Sequence, residues 1–309
     1  MVAVADALKG RDFTRVADWS RDELLQALDL ADELKRLQAA REPHELLPGR
    51  TLGMIFQKPS TRTRVSFEVG IYQLGGTALY LSANDLQLGR GETVKDTARV
   101  LSRYLDAIMI RTFAQADVEE LAAHADIPVI NGLTDSAHPC QALADAMTIR
   151  ERFGRLDGLR VAYFGDGNNV CASLMVACTR LGMSFVAATP PGYEPPAEVV
   201  EIARADGEVE LTGDPRAAAT GADVLYTDVW TSMGQEDERA RRLADLGGYG
   251  IDTELVRAAG DDAIVLHCLP AHYGEEIDEA VLYGPQSAVW DEAENRLHAQ
   301  KALLALIVP

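Results

Sequence analysis

Short apolar runs recur along the whole of this 309-residue chain, and many are separated by stretches with helical spacing. No other feature limits the fold as strongly, because strands divided by helices pair in parallel through right-handed crossovers. Strands are expected at residues 51–56, 77–81, 107–111 and 127–131, then at 159–164, 184–189, 223–227 and 263–267. Helical spacing marks 20–40, 92–104, 141–153, 170–181 and 292–306. The first of these helices opens with Ser20 and Glu23 at capping-box spacing, and Leu24, Leu28, Ala31 and Leu34 share a face. The expected class is α/β, with two domains, each a parallel β-sheet flanked by helices. The length suits two cores of ordinary size. The strand rhythm pauses at 141–153, which sets the expected domains at 1–143 and 144–309.

Polar and unusual segments follow the C-terminal ends of the expected strands. Lys58 to Arg64 follows the first, Arg111-Thr112 closes the third, and His138-Pro139-Cys140-Gln141 comes soon after the fourth. In the second half, Gly165 to Asn169, Asp228 to Gly234 and His267 to Pro270 occupy equivalent places. Ligands bind at that edge of open parallel sheets. Two such edges facing each other predict an active site in the interdomain cleft.

Composition matters here for what it excludes. With 48 acidic against 29 basic residues and a formal charge of −19, a nucleic-acid partner is not expected. Against that background the cluster Lys58, Arg62 and Arg64 points to a small anion. No window approaches eighteen uninterrupted apolar residues, so no membrane partner is expected. The N-terminus shows neither a basic leader nor a cleavage site. Cys140, Cys171, Cys178 and Cys268 are widely spaced and read as thiols in a reducing, cytoplasmic compartment.

Ser60, Thr61, Arg62 and Thr63 open a helix just after Pro59. Unpaired N–H groups, hydroxyls and a guanidinium there would suit a phosphate, although capping with solvated arginines is the plainer use. Gly165-Asp166-Gly167-Asn168-Asn169-Val170 lacks the third glycine and the later acidic residue of a dinucleotide fingerprint, so Asn168 and Asn169 suit a small polar ligand instead. His267, Cys268 and His272 lie too close together for tetrahedral zinc. Cys268 as a nucleophile with His138 as base lacks the surroundings of a triad. His138 could simply be a buried histidine at a helix start. Arg111 and Asp228 end apolar strands, where each needs a polar or charged partner. Glu292, Glu294 and Arg296 could equally be a solvated helix start.

In order along the chain, FQKPSTRTRVSFE, LQLGRGETVKDTARVLSRY, IRT, HPCQALAD, FGDGNN, TDVWTSMGQE, HCLPAH and DEAENRLHAQKA resemble the transcarbamylase family over nearly its whole length. STRTR and HPCQ are shared across that family and mark its carbamoyl phosphate half. The other half is similar to the ornithine-specific branch. The aspartate enzymes carry HPLPR where this chain has His267-Cys268-Leu269-Pro270-Ala271, and both they and the putrescine enzymes lack the Ser232-Met233-Gly234 loop. Tyr273 stands where many relatives have a basic residue.

The resemblance implies a carbamoyl phosphate-binding domain at 1–143 and an ornithine-binding domain at 144–309, with a C-terminal helix of about 292–307 returning to the first. It implies transfer of the carbamoyl group to the side-chain amine of L-ornithine, with no cofactor and no metal. Ser60, Thr61, Arg62 and Thr63 would bind phosphate, and Gln87 would reach it from the neighbouring subunit of a homotrimer. Arg111 and His138 would hold the carbonyl oxygen and Gln141 the carbamoyl NH2. Pro139, Cys140, Cys268, Leu269 and Arg296 would complete the carbamoyl phosphate site. Asn169, Asp228, Ser232 and Met233 would bind ornithine, and Arg111, His138 and Cys268 would be catalytic.

Overall fold

A computed structural model of the chain describes residues 6–82, 86, 91–232, 234 and 236–309. The chain divides into two units, one of Met1–Met147 together with Asn295–Pro309, the other of Thr148–Glu294. The first contains a four-stranded sheet of β1 (Thr51–Phe56), β2 (Thr77–Ser82), β3 (Ala107–Arg111) and β4 (Val129–Leu133), in the order β2-β1-β3-β4. Every pairing is parallel. Its helices are α1 (Arg21–Ala39), α2 (Thr61–Gln73), α3 (Val94–Leu101), α4 (Gln115–His124) and the first part of α5 (Pro139–Phe153).

The second unit has a five-stranded parallel sheet of β5 (Arg160–Phe164), β6 (Ser184–Ala188), β7 (Val209–Thr212), β8 (Val224–Thr227) and β9 (Ile264–His267), in the order β7-β6-β5-β8-β9. Helices α6 (Asn169–Arg180), α7 (Ala197–Asp206), α8 (Pro215–Ala219), α9 (Arg239–Leu246), α10 (Thr253–Ala259) and α11 (Glu279–Leu282) surround it. The last helix, α12 (Val289–Ile307), begins in this unit and ends in the first.

The central strands are apolar except at their ends, because helices cover both faces of a parallel sheet. All five residues of β3 are buried, and Ile55, Ile108, Ile110 and Val129 pack with Val118 and Leu121 of α4. In α1 the capping box forms in both directions: Glu23 N donates to Ser20 Oγ at 3.3 Å, and Ser20 N donates to Glu23 Oε2 at 2.7 Å.

Three of the differences from the sequence expectation have a clear local cause. The strand expected at 127–131 is shifted to Val129–Leu133, since Pro128 has no N–H to give the ladder and pairing starts at Ile108 with Val129. Helix α5 starts at Pro139 rather than Gln141, with proline in the first helical position, where its missing N–H costs nothing. Strand β7 was not expected. It is a short edge strand in which Glu210 and Leu211 face solvent, so it has no apolar run to betray it.

The strand orders locate the ligand edge. In the first unit the chain moves from β1 outward to β2 and then returns to the other side of β1 as β3. In the second, β8 returns to the far side of β5 in the same way. Each reversal opens a crevice at the strands' C-terminal ends, between β1 and β3 and between β5 and β8.

Candidate active site

In the first unit, the loop after β1 leads into α2. Ser60 is the N-cap, and Thr63 N donates to its Oγ at 3.2 Å. The mouth of α2 therefore presents its remaining N–H groups and partial positive charge beside the end of β3, where Phe56 pairs with Arg111. Arg111 is the last residue of β3 and is buried. His138 caps α5, its carbonyl accepting from Gln141 N at 3.1 Å and Ala142 N at 3.2 Å.

Arg296 of α12 joins these groups. It is 3% exposed, so it is no solvated helix-start arginine. Its Nη2 donates to Thr63 Oγ1 at 2.8 Å, and its Nη1 donates to Gln141 Oε1 and lies 3.4 Å from His138 Nε2. Gln141 Nε2 in turn donates to Asp145 Oδ1 at 2.7 Å, which orients the amide with its oxygen toward Arg296.

The electrostatics follow from this crowding. Burial first, then the charges of Arg296, Arg111 and Arg62, hold the His138 imidazole far below the usual histidine range. The ring is therefore neutral, and the same three guanidiniums that discharge it would attract an anion. Burial pushes the Cys140 thiol up to about 12 although Arg296 pulls the other way, so it is not a thiolate at neutral pH. The expected basic cluster is only partly an anion site. Lys58 pairs with Asp135 and lies over the Phe113 ring, while Arg64 lies over the Tyr80 ring and beside Glu68. Arg62 is the member whose charge is felt at His138.

In the second unit the loops after β5, β8 and β9 meet, because Phe164, Thr227 and His267 are aligned across the sheet. Asn168 caps α6, its Oδ1 accepting from Val170 N and Cys171 N, and its Nδ2 donates to Asp228 Oδ2 at 2.8 Å. Cys268 Sγ donates to Asp228 Oδ1 at 3.0 Å. The carboxylate is thereby held at the strand end by one neutral donor on each oxygen. Asn169 follows as the first residue of α6, and Leu269 follows Cys268 with φ of 58°. Gly165 has φ of 109°, and a Cβ on it would come within 2.8 Å of Trp230 Nε1, so only glycine fits that turn. Ser232 is half-buried, and Met233 and Gln87 lie outside the described residues.

Several supporting residues escaped the sequence reading. Arg242 of α9 is buried, donates to Asp166 and to the Trp230 carbonyl, and lies over the Tyr193 ring. It thus ties the loop after β8 to the loop after β5. Burial raises the Asp166 carboxyl above its usual range, and Arg242 offsets part of that rise. Glu276 accepts from His267 Nε2 at 3.2 Å, and Leu269 N donates to His267 Nδ1 at 2.9 Å. Both ring nitrogens of His267 are therefore engaged, although Asp228, His267 and Cys268 bring donor atoms within 4.8 Å of one another. Glu292, also fully buried, accepts from His267 N at 2.8 Å and from Tyr226 Oη at 3.2 Å. Of Glu292, Glu294 and Arg296, Glu294 alone is exposed.

Comparison with known proteins matches this division of labour. Residues 11–151 match the family described as aspartate/ornithine carbamoyltransferase, carbamoyl-P binding domain, and residues 157–307 match its Asp/Orn binding domain. The chain is 59% identical to the ornithine carbamoyltransferase of Symbiobacterium thermophilum, covering 97% of this chain and 99% of that one. It is 56% identical to that of Pyrococcus horikoshii, covering 98% and 97%. The solved structure of ornithine carbamoyltransferase from Pyrococcus furiosus superposes with a TM-score of 0.95 at 54% identity, covering 99% of each chain. The chain belongs to the aspartate/ornithine carbamoyltransferase family.

Proposed function

We infer that this chain transfers the carbamoyl group of carbamoyl phosphate to the side-chain amine of L-ornithine, giving L-citrulline and phosphate. The observation that carries the carbamoyl phosphate half is the neutral His138 among Arg62, Arg111 and Arg296, beside the mouth of α2. The acceptor rests on relatives named ornithine carbamoyltransferase that match nearly the whole chain.

In this scheme Ser60, Thr61, Arg62, Thr63 and Arg296 hold the phosphate, and Pro139, Cys140 and Leu269 shape the site around the carbamoyl group. Arg111 and the neutral His138 donate to the carbonyl oxygen. Gln141 Oε1 has two lone pairs, one for Arg296 and one for the carbamoyl NH2. Asp228 accepts the ornithine α-amino group, and Asn169, Ser232 and Met233 hold the rest of the amino acid. The neutral δ-amine attacks the carbonyl carbon, and negative charge grows on the oxygen. Each well-placed donor there contributes about 3 kcal/mol to the transition state. The C–O bond to phosphate then breaks, and the departing phosphate takes the amine proton. No step requires a covalent enzyme intermediate.

The working assembly is inferred to be a homotrimer with shared sites, Gln87 of one subunit reaching the phosphate of the next. In support, α2 exposes Val65 and Tyr72, and the unpaired edge of the sheet is β2, which exposes Leu79 and Tyr80. The four cysteines carry thiols, which suits a reducing cytosol. No helix among the described residues is long and apolar enough to cross a membrane.

Purified protein supplied with carbamoyl phosphate and L-ornithine should release citrulline and phosphate in equal amounts. Cys268→Ser keeps a donor on Asp228 and should bind ornithine more weakly while retaining clear residual turnover. A carbamoylated cysteine trapped during turnover would contradict direct transfer.

A further inference from the structure

Beyond Arg296 on α12 lies Lys301, which is fully buried. Its Nζ donates to Gln38 Oε1 at 2.7 Å, to Gln73 Oε1 at 2.9 Å and to His44 Nε2 at 3.1 Å. From α1 it is faced by the Gln38 amide, from α2 by the Gln73 amide, and from the segment after α1 by His44. His44 is the one titratable group among these partners, and its Nδ1 lies 2.9 Å from the Glu42 carbonyl. Burying an ammonium against neutral acceptors is costly, and burial lowers its pKa to about 8. Its placement offsets some of that cost. Gln38 lies in the last turn of α1 and Gln73 is the last residue of α2, where the helix dipoles favour a cation.

The consequence concerns the other end of α2. Arg296 donates to Thr63 in the first turn of α2, and Lys301 donates to Gln73 in its last, so α12 grips that helix at both ends. Between the grips the backbones come close at Gly70, where a Cβ would lie 3.3 Å from Lys301 Cγ and 3.6 Å from Leu297 Cδ1. Lys35 of α1 adds a bond to Asn295 Oδ1 at 2.8 Å, in the turn that carries Arg296.

We propose that Lys301 is a positioning residue for carbamoyl phosphate: its ammonium clamps α12 to the C-terminal ends of α1 and α2 and so sets Arg296 at the mouth of α2. This rests on the assignment of that mouth to the phosphoryl group. An ammonium has three N–H donors and a neutral amine two, so deprotonation breaks one arm of the clamp. The sign of the stability effect is opposite. The folded value lies below the ordinary 10.5, so the folding cost is complete below about 8 and fades as pH rises from there toward 10.5. Alkali therefore loosens the clamp while relieving the fold, and a mere structural prop would lose affinity and stability together.

Calorimetric titration of the full-length protein with inorganic phosphate at pH 7.5 and pH 9.5 tests this. Lys301→Met should weaken phosphate binding by about tenfold at the lower pH, with the gap to wild type closing at the higher. Gln73→Met, which removes only the acceptor on α2, should reproduce the loss at pH 7.5, and it decides the matter if Lys301→Met does not fold. Wild-type affinity in both variants at pH 7.5, or a Lys301→Met gap unchanged at pH 9.5, would overturn the proposal. If the wild type binds neither phosphate nor carbamoyl phosphate, the site assignment fails, and this inference with it.

Discussion

Arg62→Ala is expected to lower kcat/KM for carbamoyl phosphate by about a thousandfold or more, while the thermal midpoint stays near that of the wild type. Arg62 is the second residue of α2, partly exposed, and its charge reaches His138. Its fork can bind a phosphoryl group bidentately at a helix mouth that already offers N–H donors. The substitution also removes one of the three guanidinium charges that act on His138 and would attract an anion there. The fold loses little, because the cap of α2 is made by Ser60 and the helix is held to α12 through Thr63 and Gln73. Steady-state kinetics and a melting curve on the same preparation separate the two effects. Near-normal kinetics would remove the mouth of α2 from the active site.

The second large effect is a recovery. Arg62→Ala and Gln87→Ala proteins should each be severely impaired. Unfolded and refolded together in equal amounts, they should regain about a quarter of wild-type activity. Random assembly makes about three-quarters of the trimers mixed. Going once around any mixed ring, an intact Arg62 meets an intact Gln87 at one junction, so one site in three is native. A site confined to a single chain would recover nothing, because every subunit keeps its own lesion. Mixed trimers demonstrated by mass spectrometry without activity would show that the site is not shared.

Much of this was legible in the sequence because chemistry-bearing residues sit where parallel strands end. Arg111 and Asp228 stood out as charged residues closing apolar strands, and Ser60 to Thr63 as a polar string opening a helix. The supporting residues were not legible, since their meaning depends on partners far away in the chain. Asn168 is expected to meet a small polar ligand, yet its amide caps α6 and donates to Asp228, and Arg242 resembles a solvated helix arginine until it meets Asp166. Arg296 and Glu292 carry the composition of an exposed helix start but are buried among polar partners. Strand β7 was missed for a simpler reason. An edge strand with one buried residue has no pattern to read.

The central claim is the identity of the acceptor, and a panel of amines tests it most directly. Citrulline, or the corresponding carbamoylated product, would be measured with carbamoyl phosphate and each of L-ornithine, putrescine, N-acetylornithine and L-aspartate. L-ornithine should be preferred by several orders of magnitude. Putrescine lacks the α-carboxylate, and N-acetylornithine presents a neutral amide that leaves Asp228 without its cation in a buried site. Aspartate has no side-chain amine to be carbamoylated. Comparable rates with putrescine, N-acetylornithine or aspartate would contradict the ornithine assignment while leaving the family in place, and no product with any acceptor would contradict the activity itself.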